Sequence, residues 1–177
     1  MAYTPYSFGQ RCPVNASGLH VCRESRENFS TKRGFCCTEE NMKKGITFGA
    51  FDLLHAGHIL MLKEARTVCD YLIVGLQTDP TIDRPHKNKP IQSLEERKIQ
   101  VEACRYVDEI IVYDTEADVL RILGSVDWDV RILSEEYRAA QFTGREQTLS
   151  RCYFNSRTHS YSSSELRRRI AESAEGD

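Results

Sequence analysis

The side chains of this sequence that could do chemistry lie in two short segments far apart in the chain. The first is Gly49-Ala50-Phe51-Asp52-Leu53-Leu54-His55-Ala56-Gly57-His58, and the second is Tyr161-Ser162-Ser163-Ser164-Glu165-Leu166-Arg167. His55 and His58 are spaced to share one face of a helical turn. From there an imidazole pair can donate N–H bonds to oxygens on which negative charge grows in a transition state. Gly49 lets the backbone approach a ligand closely, and Gly57 keeps side-chain bulk out of the mouth between the histidines. In the second segment Ser162 and Glu165 stand at capping-box spacing, which marks a helix start. A helix start presents unpaired N–H groups and the positive end of the helix dipole, and both segments have this design. Two anion sites in one small domain point to a substrate with several phosphates. The plainer alternative is a histidine pair that caps and packs, and serines that only cap. No Cys–His or Ser–His–Asp set has the spacing of a covalent mechanism.

These segments need elements to hold them, and the hydrophobic pattern supplies an alternating series. Ile46 to Phe51 reads as a short buried strand, and His58 to Cys69 as an amphipathic helix. Tyr71 to Leu76 is a continuous apolar run of strand length, suited to a parallel strand covered on both faces. Ser93 to Tyr106 reads as a helix with Ser93 and Glu96 as its capping box. Val107 to Tyr113 is a third strand, Glu116 to Leu123 a helix ending at Gly124, Val130 to Leu133 a fourth strand and Cys152 to Asn155 a fifth. The last helix runs from Ser163 to Glu172. The alternation predicts an α/β fold with a doubly wound, five-stranded parallel sheet. Ligands of such sheets bind beyond the C-terminal strand ends where the strand order reverses. That rule gathers Gly49–His58, Gln77–Asp79, Ser134–Tyr137 and Arg157–Ser164 around one cleft.

Composition bounds the partners. The chain has 177 residues, 40% hydrophobic and 28% charged, with a net charge of −2. This suits one globular domain and offers no global basic field for nucleic acid. No apolar run reaches the ~20 residues of a membrane span, and no signal-peptide core opens the chain. The seven cysteines lack metal-ligand spacing, so a protein-held metal is not expected, and they fit a reducing, cytoplasmic setting. Residues 1–44 show no sustained periodicity and read as an irregular N-terminal extension ahead of a domain at 45–177. Two readings of the opening stretch stand side by side, an extension before an alternative start at Met42 or a small subdomain of its own.

The paired segments resemble the HxGH and ISSTxxR signatures of the nucleotidyltransferase superfamily, in the right order. Arg105-Tyr106-Val107-Asp108-Glu109, the Glu96-Arg97-Lys98 helix start and Arg157-Thr158 are similar to its glycerol-3-phosphate cytidylyltransferase branch. The resemblance covers Lys43 to Ile170 and implies the Rossmann-like fold of that superfamily. It also implies a reaction: CTP, with Mg²⁺, gives its nucleotidyl group to a phosphorylated alcohol such as glycerol 3-phosphate, and pyrophosphate leaves. The substrate's own phosphate attacks the α-phosphorus in line, so catalysis is positioning and charge stabilisation. Close relatives are homodimers, which is the expectation for this chain.

Residue by residue, the resemblance makes His55 and His58 the triphosphate contacts, with the backbone of Ala50 and Phe51 along the α-phosphate. Ala50 lacks the hydroxyl that the family often carries there. Lys87 and Lys89 fall in the family's catalytic-lysine loop, with either one as the equivalent. Arg97 matches an arginine facing the acceptor's phosphate, the alternative being a solvent-facing helix charge. Asp79 matches a strand-end aspartate near the acceptor, or else a turn cap. Arg157 and Thr158 match the pair that meets the cytosine base, where a fixed donor fork can read its carbonyl. Ser162, Ser163, Ser164 and Arg167 match the second signature. After the fourth strand the family's Gly-Asp-Asp/Glu-Trp is replaced by Ser134-Glu135-Glu136-Tyr137, in which Glu135 keeps a polar contact to the nucleotide. The segment from Arg138 to Arg145 is longer and more basic than the family pattern, and these departures bear on the acceptor. The rival within the fold is an adenylyltransferase, of the FAD-synthetase-like or heptose-phosphate type. A nucleotide-binding module without catalysis is the rival outside enzymes.

Overall fold

The computed structural model describes residues 42–174, so the expectation of an irregular extension falls almost wholly outside them. Five strands alternate with helices: β1 (Lys44–Gly49), α1 (Ala56–Ala65), β2 (Tyr71–Gln77), α2 (Leu94–Glu102), β3 (Glu109–Tyr113), α3 (Glu116–Ser125), β4 (Val130–Ser134), α4 (Arg145–Thr148), β5 (Cys152–Asn155) and α5 (Ser163–Ala174). All strand pairs are parallel and the order is β3-β2-β1-β4-β5. The sheet is doubly wound, as expected, and the order reverses between β1 and β4. Among the described residues no helix is long and apolar enough to cross a membrane.

Side-chain alternation on β2 shows how both faces are covered. Leu72, Val74 and Leu76 join a core with Leu62 and Ala65 of α1 and Val101 of α2. Ile73 points the other way, into a core with Ile46, Tyr113, Trp128 and Val119 and Ile122 of α3. Each fully buried side chain of this size contributes roughly 1.5–3 kcal/mol relative to exposure. The helices start where their caps dictate. Ser93 and Glu96 bond reciprocally at α2, and Thr115 and Asp118 do the same at α3.

The expected boundaries shift at several places for local reasons. β1 starts at Lys44 and ends at Gly49 rather than Phe51, because Phe51 has φ 49°, which a strand cannot hold. α1 stops at Ala65 rather than Cys69. Gly45 of β1 is what lets Cys69 close in, since a Cβ there would lie 2.6 Å from the thiol sulfur. β3 starts at Glu109 because Asp108 is used as a hook, its carboxylate accepting from Leu72 N at 2.8 Å.

The pairing of β1 with β4 makes the site. β1 pairs with β2 from Lys44↔Tyr71 to Gly49↔Leu76, but with β4 only at Gly45↔Val130 and Ile46↔Arg131. Past that point the Thr47 hydroxyl donates to Ile132 O at 3.1 Å in place of a ladder bond. Beyond this bond the ladder has ended, so the C-terminal ends of the two strands leave a crevice at the topological switch point.

Candidate active site

The chain leaves β1 through two strained residues. Phe51 and Leu53 both have φ 49°, in the left-handed region that non-glycine residues rarely adopt. Phe51 is buried and its ring packs on His58, with centroids 5.3 Å apart. Gly49 admits this folded-back ring, since a Cβ there would come within 3.2 Å of Phe51.

His55 is the N-cap of α1. Its Nδ1 accepts from Gly57 N at 3.1 Å, and His58 Nδ1 accepts from His55 N at 3.4 Å. These bonds assign the ring proton of each histidine to Nε2. The rings stack with centroids 3.9 Å apart. Burial, and then the neighbouring His55, push His58 down to about 3. Burial first, then the proximity of His159 and Arg157, also lowers His55. At neutral pH both rings are therefore uncharged Nε2–H donors.

The second segment docks directly on this pair. His55 Nε2 is 3.2 Å from Ser163 Oγ, and the serine hydroxyl donates onward to Asp52 O at 3.3 Å. Arg167 of α5 donates to Asp52 Oδ2 at 2.6 Å and to Lys89 O at 2.9 Å. Burial alone would raise the Asp52 carboxyl, but the backbone N–H groups of Gln92 and Ile91 and the Arg167 guanidinium outweigh it and hold it low. Gly57 sits where the two segments meet. A Cβ there would lie 2.9 Å from His159, from His55 and from the Tyr161 carbonyl. The glycine therefore serves close packing as well as an open mouth. Ser162 Oγ accepts from Glu165 N at 3.1 Å, but the Glu165 carboxylate turns to Arg168, at 2.6 Å. The expected capping box is thus half formed, because a cation one turn on along α5 takes the carboxylate.

A cleft of ≈ 710 Å³ opens beside these groups. That volume suits a small-molecule ligand. Of the residues singled out in the sequence, Gly49, Ala50, Phe51, His55, Gly57 and His58 line it, as do Lys87, Arg157, Ser162, Ser163, Ser164 and Arg167. Lys89, Asp79, Glu135 and Thr158 do not line it. Lys89 is exposed with its ammonium 3.9 Å from Asp79. Asp79 caps its own turn by accepting from Thr81 N at 2.9 Å, and Glu135 pairs with Arg138.

Arg97 requires a correction. It was expected to face an acceptor phosphate or solvent, yet it is 2% exposed and faces neither. Its guanidinium donates to the carbonyls of Ala50, Gln77, Thr78 and Gln92 at 2.6–3.2 Å. It ties the ends of β1 and β2 to the start of α2, a positioning role.

Five further residues belong to the site: Asp52, Arg84, Arg131, Asn155 and His159. Among the described residues, the buried side-chain atoms without a hydrogen-bond partner are Gln100 Oε1, Arg84 Nε, Arg131 Nε, Asn155 Oδ1, His159 Nδ1 and Arg167 Nε. All but Gln100 line the cleft. Buried polar atoms left unsatisfied are uncommon, and their concentration on one surface marks where a polar ligand completes the structure. The sequence did not place Arg84, Arg131 and Asn155 at the cleft, whereas Asp52 and His159 lay within the ranges gathered there but were given no role of their own. For Asp52 the signal was its position inside the first signature. For His159 it was the neighbouring Arg157-Thr158. For Arg131 it was a charge in the middle of a buried strand.

Comparison with known proteins agrees with this geometry. A family profile described as cytidylyltransferase-like matches residues 46–169. The ethanolamine-phosphate cytidylyltransferase of Arabidopsis thaliana is 49% identical over 65 residues, 36% of this chain and 15% of that protein. The glycerol-3-phosphate cytidylyltransferase of Bacillus subtilis is 49% identical over 70 residues, 40% of this chain and 54% of that protein. The bifunctional protein HldE of Nitrobacter winogradskyi is 32% identical over 114 residues, 64% of this chain and 23% of that protein. The aligned part is thus at most about half the length of these relatives. Among solved structures, the lipopolysaccharide core biosynthesis protein of Thermoplasma volcanium superposes with a TM-score of 0.53 at 27% identity, covering 69% of this chain and all of that one. With both signatures docked at the switch point of a β3-β2-β1-β4-β5 sheet, and a family profile spanning nearly all the described elements, this chain belongs to the cytidylyltransferase-like family.

Proposed function

We propose that this chain transfers a cytidylyl group from CTP to a phosphorylated alcohol, glycerol 3-phosphate or a similar compound, and releases pyrophosphate. The observation that carries the reading is the docking of the two signature segments on one cleft, through His55–Ser163 and Asp52–Arg167. In the proposed reaction an acceptor phosphate oxygen forms a bond to the α-phosphorus of CTP while the bond from that phosphorus to the β-phosphate bridging oxygen breaks. His55 and His58 donate Nε2–H to the oxygens that gain charge, and being neutral they do so without binding the ground-state triphosphate as cations would. His55 exchanges its bond to Ser163 for one to phosphate, and the serine hydroxyl at the start of α5 reaches the same anion by giving up its bond to Asp52 O. Lys87 and Arg167 supply positive charge at the cleft wall. Among the described residues no three His, Cys, Asp or Glu side chains gather as a metal-holding group. Mg²⁺ would enter with the triphosphate and offset part of its charge.

At the base, Arg157 offers donors to the cytosine carbonyl, and Asn155 Oδ1 offers an acceptor to the exocyclic amine. Adenine carries an amine too, so Asn155 also favours the second reading, adenylyl transfer, over any keto base. Pyrophosphate release separates the readings, measured with CTP and ATP against glycerol 3-phosphate, ethanolamine phosphate and sugar phosphates. CTP-dependent release is expected. ATP-dependent release alone would establish the second reading, and none with either nucleotide would overturn both. The family resemblance supports a homodimer, which sedimentation equilibrium decides.

A further inference from the structure

Two arginines are almost wholly buried among the described residues, Arg97 at 2% and Arg131 at 3% exposure. Arg97 places four of its five N–H donors on carbonyl oxygens. Arg131 does not. Its Nη1 donates to Thr143 O at 2.6 Å and Thr148 Oγ1 at 3.2 Å, while its Nε has no partner. A guanidinium cannot shed its charge, and a buried charge left without a counter-ion is costly. The nearby carboxylate is already taken. Glu116 Oε1 lies 2.9 Å from Arg84, and Oε2 accepts from the Thr143 hydroxyl.

The surroundings of Arg131 describe a second side of the cleft, on the sheet face that carries α3. The guanidinium carbon lies 5.5 Å from the Phe48 ring centroid and 5.1 Å from that of Phe142. Tyr113 packs edge-on against Phe48 at 5.6 Å, and all of these residues line the cleft. Arg131 pairs with Ile46, deeper in the sheet than the strand end at Gly49 from which the histidine segment departs. The nucleotide's phosphates have their donors at that strand end, which leaves this side for the other substrate. Phe142 and Thr143 come from the Arg138–Arg145 segment, which departs from the family pattern.

We infer that the unpaired Nε–Nη2 edge of Arg131 grips an oxyanion, a carboxylate or a second phosphate, carried by the acceptor alcohol away from its attacking phosphate. A planar fork takes two oxygens of such a group side by side. The aromatic rings could seat an ammonium group, but the fixed charge of Arg131 within the same walls opposes it. The acceptor is therefore a compound similar to glycerol 3-phosphate that carries a second anionic group, which glycerol 3-phosphate lacks, and not an amino-alcohol phosphate. This deepens the cytidylyl-transfer reading and rests on it for the identity of the acceptor.

The test is kcat/KM of the full chain with CTP and four acceptors: 3-phosphoglycerate, a bisphosphorylated three-carbon diol, glycerol 3-phosphate and ethanolamine phosphate. One of the first two should exceed ethanolamine phosphate by about tenfold or more, and which one it is separates carboxylate from phosphate. Arg131→Met should cut that ratio by about fivefold or more, and Arg131→Lys, which keeps the charge and loses the fork, should cut it too. Arg131→Lys carries the comparison if Arg131→Met does not fold. Preference for ethanolamine phosphate or glycerol 3-phosphate, or proportional loss on all four acceptors, would overturn the inference. If no acceptor yields pyrophosphate with either nucleotide, the transfer reading fails separately. Calorimetric titration of 3-phosphoglycerate and the bisphosphate then decides: binding weakened in Arg131→Lys upholds the Arg131 site, and no binding to the wild-type chain ends it.

Discussion

Burial makes His55 and His58 neutral donors rather than cations, and two measurements follow from this. His58→Ala removes a preorganised donor, which typically costs roughly 3–4 kcal/mol of barrier, so turnover should fall by ~10² or more in a chain that remains folded. Near-normal turnover would remove His58 from the mechanism. The second measurement is stability against pH. His58 is held at about 3 in the folded chain against an ordinary value of 6.5. Above 6.5 neither state carries the proton. As pH falls from 6.5 only the unfolded chain takes it up, so stability is lost through that window. Ordinary Glu side chains titrate near 4.5, which leaves the upper part of the window to the histidines. Urea midpoints between those values should fall with pH in the wild type and fall less steeply in His58→Ala; equal slopes would refute the assigned burial. At this scale the histidines, serines and Arg167 were legible as residues of one cleft, because each belongs to a short signature segment recognisable from its neighbours in the chain. The contacts of Asp52, Arg97 and Arg131 were not legible, because each acts on partners distant in sequence. Asp52 answers to Ile91, Gln92 and Arg167, and Arg97 to carbonyls of two strand ends.

Between elements, the site depends on how closely α1 and the start of α5 approach. Gly57 is the gauge of that approach, with backbone and side-chain atoms of both segments at 2.9 Å from any added Cβ. The Tyr161 carbonyl cannot rotate away, so Gly57→Ala must move the two segments apart. Overpacking of this kind costs ~1–3 kcal/mol, and the displaced His55–Ser163 contact should lower turnover as well. Urea unfolding together with pyrophosphate release tests this; wild-type values of both would show that the segments are looser than the geometry states. The element series was legible because β2 is a continuous apolar strand and the α2 capping box is written in Ser93 and Glu96. The element ends were less so. The end of β1 depends on the left-handed turn at Phe51, and the half-formed box at α5 on Arg168, features that periodicity does not carry. The parting of β1 from β4, which opens the cleft, is a register fact with no local signal.

At the scale of the whole molecule, both hydrophobic cores are built from residues between Ile46 and Tyr153. The two signatures, the cleft and every strand pair lie within the same unit, which begins at Met42. A unit that closes its own sheet and covers both faces has what it needs to fold by itself. A chain trimmed to Met42–Asp177 should therefore unfold in one cooperative transition and release pyrophosphate at a rate within about threefold of the full chain, the span of ordinary context effects on a site left intact. The first strand makes this a demanding test. Lys44 donates through its backbone N–H to Asp129 at 2.7 Å, and Lys43 likewise to Asp70 at 3.0 Å, so the cut falls next to bonds that seat β1. Fraying there would loosen the pairing at Gly45 and Ile46 that fixes where β1 and β4 part. A cooperative but inactive trimmed chain would mean that the opening residues reach the reaction. A chain that no longer unfolds cooperatively would mean that they complete the sheet.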